Sequence, residues 1–256
     1  MDLKLKGKRA IVTGGTRGIG RAIAETLAAE GVDIAFCARK PGEVEQAAGA
    51  LAALGVRAFG GVADIADGEA LKAWVTQAIC ELGGLDILIC NASAVGQGVH
   101  DEAWNANFAV DVMGAQRAAS VAMPHLEAAA AASGDAAILF ISSVSAAETA
   151  RSQAYGAMKA ALIHYAKGLA KESAAKGVRV NTLSPGTILF DGGFWDLAQR
   201  NAPDVFAHAM RMNPTKRMGA PQEIADAAVF LCCPLSSFTT GANLIVDGAI
   251  TSRVNF

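Results

Sequence analysis

"RAIVTGGTRGIG" (residues 9–20) decides the fold. Its first half is a short apolar run, "RAIVTG". Its second half places Gly14, Gly18 and Gly20 in the spacing T-G-x-x-x-G-x-G, and a helical pattern follows over 18–30. Glycine permits positive φ and close backbone approach. A helix N-terminus offers free N–H groups and a partial positive charge. Strand, glycine turn and helix in that order form a cradle for a pyrophosphate. A Walker-type loop matches less well, because Arg21 and Ala22 stand where Lys and Ser/Thr belong.

Outward from this unit the pattern repeats. "VDIAFCA" (32–38), "VRAFGGVAD" (56–64), "LDILICNAS" (85–93), "AAILFISS" (136–143), "VRVNTLSP" (178–185) and "NLIVDG" (243–248) read as strands. Several are almost continuously apolar, as in a parallel sheet covered on both faces. Helical patterns lie near 42–54, 67–82, 102–131, 152–176 and 221–232, and Gly134 is placed to close the alanine-rich stretch 126–134. The expected fold is α/β, a Rossmann-type doubly wound parallel sheet of about seven strands with helices on both faces, formed as one domain over 1–256. Right-handed crossovers then gather the loops after the strands along one edge.

Composition narrows the function. Hydrophobic residues make up 52% of the 256 and charged residues 18%, enough apolar material for a large core. The formal net charge is −2, and no basic block suggests nucleic acid or a membrane surface. Cys37, Cys80, Cys90, Cys232 and Cys233 form no C-x-x-C pair and read as small buried apolar residues. His100, His125, His164 and His208 are scattered without metal spacing, so no metal is expected. With no signal-like run at the start and no stretch of about 20 apolar residues, the expectation is a soluble, cytoplasmic protein.

"QAYGAMKAAL" (153–162) carries the chemistry. Tyr155 and Lys159 are four residues apart, hence one turn apart on one helix face. A cation beside a phenol favours loss of the phenolic proton.

Together with the glycine turn, "NAS" (91–93) and "SPG" (184–186), this pair occurs in the order and spacing of the short-chain dehydrogenase/reductase family, which the chain resembles from Gly7 to about Gly248. The resemblance implies an NADP(H)-dependent oxidoreductase that interconverts a ketone and a secondary alcohol by hydride transfer, with Tyr155 as general acid/base and Lys159 both assisting it and holding the nicotinamide ribose. It also implies a serine that polarises the substrate oxygen. Ser143 matches best when read outward from the strand, and Ser142, thirteen residues before Tyr155, is the alternative. Adjacent strand residues face opposite ways, so only one is expected in the site.

The family's usual asparagine, seven residues after a tryptophan, is here Asp111 after Trp104. A carboxylate accepts from water but does not donate. We expect it to pair with Lys159 and to keep a proton relay with altered pH dependence. Ser93 replaces a glycine in the family's N-N-A-G.

For the cofactor, the resemblance implicates Gly14, Thr16, Arg17, Gly18, Ile19 and Gly20 in the turn, Asp64 and Ile65 at the adenine, Asn91 and Ala92 along the wall, and Pro185, Gly186, Thr187 and Ile188 at the nicotinamide. After the second strand "AFCARK" presents Arg39 and Lys40 and no acid, which suits a 2′-phosphate and hence NADP(H). Residues 188–219 correspond to the family's substrate lid. Phe190, Phe194, Trp195, Phe206, Met210 and Met212 make this stretch apolar. The link from Ser93 to Trp104 is short, which is expected to open one wall of the pocket. The partner is then a small carbonyl or alcohol substrate, possible forms including a 3-oxoacyl thioester, and the assembly a homodimer or homotetramer. A non-catalytic NADPH-binding sensor is the reading from another class.

Overall fold

The computed structural model describes residues 1–96, 98–149 and 152–254. The loop between Ser143 and Tyr155 and the link between Ser93 and Trp104 thus each contain residues outside the described set. Seven strands form one sheet: β1 (Arg9–Thr13), β2 (Asp33–Ala38), β3 (Ala58–Val62), β4 (Ile87–Cys90), β5 (Ala136–Ile141), β6 (Val178–Pro185) and β7 (Asn243–Val246). Their order is β3-β2-β1-β4-β5-β6-β7, and every pairing is parallel. All residues of β4, β5 and β6 are buried, which explains the unbroken apolar reading of β4 and β5; β6 also buries Arg179, Asn181, Thr182 and Ser184. The order reverses between β1 and β4, and the C-terminal ends of these two neighbours bound the crevice where open α/β sheets bind ligands.

Nine α-helices are described: α1 (Gly18–Ala29), α2 (Pro41–Ala52), α3 (Gly68–Leu82), α4 (Asp101–Asn107), α5 (Ala115–Ser133), α6 (Ala154–Ser173), α7 (Phe194–Asn201), α8 (Pro203–Met212) and α9 (Pro221–Cys232). One face of the sheet packs against α3, α5 and α6, through residues such as Leu71, Val75, Leu126, Leu162 and Phe140. The other packs against α1, α2 and α9, through Ile23, Leu27, Leu51, Ile224 and Phe36. The ends follow local chemistry. Asp67 caps α3 by accepting from the N–H groups of Glu69 and Ala70, and left-handed Gly83 and Gly134 close α3 and α5.

Three features depart from the sequence pattern. The helix expected over 102–131 is split by a π-helical stretch, Phe108–Gly114, whose buried residues are Asp111 and Gly114. Cys80 is exposed, because it lies on the outer face of α3; the other four cysteines are buried as expected. The apolar stretch 188–219 contains two helices of its own. Ile188 and Gly219 form a parallel bridge, so this excursion leaves and rejoins the body at one point.

Candidate active site

The glycine turn is built around Asn91. Its Nδ2 donates to the carbonyl oxygens of Thr13 and Gly14 at 3.0 and 3.1 Å, while the N–H groups of Asn91 and Ala92 donate to Thr13 Oγ1 at 3.0 and 3.1 Å. The end of β4 is thereby stitched to the end of β1. Gly14 has φ +71°, which favours glycine, and a Cβ on Gly20 would collide with the Gly14 carbonyl and the Asn91 amide. A Cβ on Gly18 would strike the ring of Phe190 at 2.6 Å. The turn's glycines are therefore required by packing as well as by any ligand. The first turn of α1 carries no acidic residue and Arg17 provides no side-chain cap, so the helix N-terminus faces outward with its N–H groups free for an anion.

A cleft of about 600 Å³ opens there. From the turn it is lined by Gly14, Thr16, Arg17, Ile19 and Gly20, from the end of β2 by Arg39 and Lys40, and beyond β3 by Asp64 and Ile65. Asn91, Ala92, Tyr155, Lys159, Pro185, Gly186 and Ile188 complete the expected set. Gly18 and Thr187 do not line it: Gly18 packs under Phe190, and the Thr187 hydroxyl donates to Asn213 Oδ1 at 3.0 Å. Of the apolar residues in 188–219, Phe190, Phe194 and Trp195 reach the cleft, and Phe206, Met210 and Met212 are not among its lining. Phe194 and Trp195 stack edge to face with centroids 5.0 Å apart. Of the short link after Ser93, which the sequence expects to open one wall, Ser93, Ala94 and Val95 line the cleft and the Gly96 N–H donates to Asn107 Oδ1; the rest of that expectation falls partly on residue 97, outside the described residues.

At the floor Lys159 is fully buried. Its Nζ lies 2.8 Å from Asp111 Oδ1, donates to the Ile141 carbonyl at 2.9 Å, and sits 5.6 Å from the centroid of the Tyr155 ring. Asp111 is aimed by the π-helical stretch, and its Oδ2 accepts from the Ala94 N–H. It stands behind Lys159 rather than in the cleft, beside a small cavity that it shares with Thr13 and Cys90. Burial is the largest single influence and pulls the Lys159 ammonium down, yet the charges of Asp111, Tyr155 and Cys90 and the Asp111 hydrogen bond together outweigh it and hold lysine above its usual range. Both serines reach the cleft, against the expectation that one would. They differ in engagement: Ser142 Oγ donates to the Lys159 carbonyl at 3.0 Å, whereas Ser143 Oγ accepts from the Ser145 N–H at 3.1 Å and its own proton meets no acceptor among the described residues. Strand alternation does not separate them because β5 ends at Ile141.

Two contributors lacked a sequence signal of their own. Thr13 was legible only as part of the turn. Glu43 lines the same cleft and accepts from Lys40 Nζ at 2.7 Å; its one trace in the sequence is an acid three residues after Lys40, across a proline that opens α2.

Residues 14–251 match the family model described as enoyl-(acyl carrier protein) reductase. The chain belongs to the short-chain dehydrogenase/reductase family. As a member of that family it is an oxidoreductase, and the family works with nicotinamide cofactors. It is 38% identical to isoepoxydon dehydrogenase of Penicillium expansum, over 98% of each chain. Among solved structures it superposes on the L-sorbose reductase of Gluconobacter frateurii, complexed with NADPH and L-sorbose, with a TM-score of 0.90 at 32% identity, covering 99% of this chain and all of that one. A 7α-hydroxysteroid dehydrogenase complexed with NADH and 7-oxo glycochenodeoxycholic acid superposes with a TM-score of 0.88 at 31% identity, over 99% and 98% of the chains. Among the described residues no helix is long and apolar enough to cross a membrane, and no group of three or more His, Cys, Asp or Glu is arranged to hold a metal.

Proposed function

We propose that this chain is an NADP(H)-dependent oxidoreductase that interconverts a ketone and a secondary alcohol. The observation that carries the reading is a single cleft with a cationic corner at one end, an anion-cradling turn in the middle, and the Tyr155–Lys159–Asp111 chain at its floor. The residues fit a dinucleotide. Gly14 and Gly20 of the turn border the cleft at the start of α1, where a pyrophosphate is expected, and Arg17, Arg39 and Lys40 gather where a 2′-phosphate is expected. When bound, the nicotinamide supplies or removes the hydride.

The chain's own residues manage the proton. In reduction Tyr155 gives its phenolic proton to the carbonyl oxygen, and the free Ser143 hydroxyl donates a hydrogen bond to the same oxygen. Lys159 spends two of its N–H groups on Asp111 and Ile141, which leaves the third for the cleft. Asp111 keeps the ammonium charged in a buried setting. Ser142, engaged with the Lys159 carbonyl, fastens α6 to the end of β5.

Val95, Phe190, Phe194 and Trp195 present an apolar wall that favours a neutral carbonyl compound, with 188–219 acting as a lid. We take the domain as one unit, in the cytoplasm, assembled as a homodimer or homotetramer through the small-residue faces of α5 and α6. The description of the matching family model favours an acyl thioester as a second substrate class.

Following NADPH oxidation against a panel of neutral ketones and a 3-oxoacyl thioester tests the reading. Turnover is expected with at least one ketone. Tyr155→Phe is expected to lower kcat by about 10²–10⁴-fold while NADPH still binds; an unchanged rate removes Tyr155 from the mechanism. NADPH binding with no turnover across the panel returns the sensor reading.

A further inference from the structure

The corner of the cleft at the end of β2 holds a fourth charge. Beside Arg17, Arg39 and Lys40 stands Glu43, in the first turn of α2. Its Oε1 accepts from Lys40 Nζ at 2.7 Å, and its Oε2 lies 3.4 Å from Thr16 Oγ1 in the glycine turn. The Lys40 hydrogen bond, against a slight opposing effect of burial, holds the carboxyl below the usual glutamate range, with the charges of Lys40 and Arg17 adding to it. Glu43 is therefore anionic at neutral pH. Arg39, by contrast, makes no hydrogen bond or ion pair among the described residues.

Resting on the cofactor reading above, we propose that Glu43 limits the preference of this site for NADP(H) over NAD(H). Its carboxylate opposes an incoming 2′-phosphate and offers an acceptor to an unphosphorylated ribose.

Two effects act together. A phosphate monoester carries nearly two negative charges at neutral pH, so it is repelled by Glu43 while attracted by the three cations. Glu43 also neutralises Lys40 and occupies one of its three N–H donors. The Lys40 and Glu43 side chains are 75% and 41% exposed, so the pair is weak and Lys40 is free to turn from Glu43 to a phosphate. A cofactor lacking that phosphate meets no such repulsion. Its ribose hydroxyl finds in Glu43 the acid that NAD-type sites place near the end of the second strand, reached here from the start of the following helix. In a solvated corner, repulsion between the carboxylate and a nearby phosphate corresponds to about three- to tenfold in affinity.

The test is a binding titration, independent of turnover. The 256-residue chain and its Glu43→Gln variant are titrated with NADPH and with NADH, following nicotinamide fluorescence, at low and at physiological ionic strength. Glu43→Gln is expected to tighten NADPH about three- to tenfold, to leave NADH unchanged or slightly weaker, and to show a smaller gain as salt is raised. No change, an equal change for both cofactors, or weaker NADPH binding overturns the proposal; the last result makes Glu43 a device that aims Lys40 at the phosphate. An unchanged NADPH/NADH ratio in a variant that binds both leaves the cofactor reading standing and removes only this role. If the unsubstituted chain binds neither dinucleotide, the cofactor reading fails and the role of Glu43 with it.

Discussion

Lys159 is a buried cation held by two oxygens, the Asp111 carboxylate at 2.8 Å and the Ile141 carbonyl at 2.9 Å. Removing one partner of such a pair leaves an uncompensated charge, so Asp111→Ala is expected to cost about 3–5 kcal/mol of stability, read by denaturant unfolding. Asp111→Asn keeps the shape and separates the functional effect from the structural one. Without the carboxylate, burial dominates and the Lys159 pKa falls. The ammonium is then lost at lower pH, and the basic limb of the kcat profile for ketone reduction is expected to move to lower pH. A limb that stays in place shows that the pair serves only the fold. At this scale the sequence was partly legible. The four-residue spacing announced Tyr155 and Lys159, and the family resemblance announced Asp111, at the place of the family's asparagine seven residues after Trp104. Which serine keeps a free hydroxyl was not legible, because that depends on Ser142 meeting a carbonyl seventeen residues away, on another element.

The elements follow local rules where those rules are strong. β6 occupies 178–185 and α9 occupies 221–232, as their apolar patterns require. Gly134 ends α5 in the left-handed conformation expected of it. Asp67 is another such local device. Asp67→Ala removes the acceptor of two N–H groups and is expected to cost about 1 kcal/mol, seen calorimetrically as a drop in Tm of about 2–4 °C with kcat unaffected. A loss of activity instead would tie the start of α3 to the cleft. The π-helical stretch 108–114 escaped detection because a single widened turn leaves the apolar spacing of 102–131 nearly intact. Its function is visible only in space, where it turns Asp111 onto Lys159.

The whole molecule is a sheet between two helical layers, and its thiols report on that enclosure. Four cysteines are buried and Cys80 is exposed, so one thiol is expected to react promptly with a chromogenic disulfide reagent and the other four only on unfolding. Two or more prompt thiols would contradict the packing. Burial pushes the Cys37 and Cys232 thiols up to about 12, and raises Cys90 as well. The unfolded chain gives up these protons from about pH 8.5, so the unfolded state binds fewer protons than the folded one above that pH. Raised folded pKa values mean stability fully present below the unfolded value and lost as pH climbs towards 12. Lys159, also raised, acts in the same sense at the upper end. The Tm is thus expected to fall steadily above about pH 8.5, and a flat Tm between pH 8.5 and 11 would refute the enclosure of these groups.

Sequence alone determined the alternation of strands and helices, the place of the glycine turn, and the spacing of the tyrosine and lysine, because each is a relation between residues close in the chain. Tertiary structure alone decided that both serines reach the cleft, that Phe190 covers Gly18, that Asn91 ties β4 to the glycine turn, and that Glu43 enters the cationic corner. These contacts join residues carried on separate elements, and nothing in local periodicity or propensity records which side chains the parallel stacking of the sheet will bring face to face.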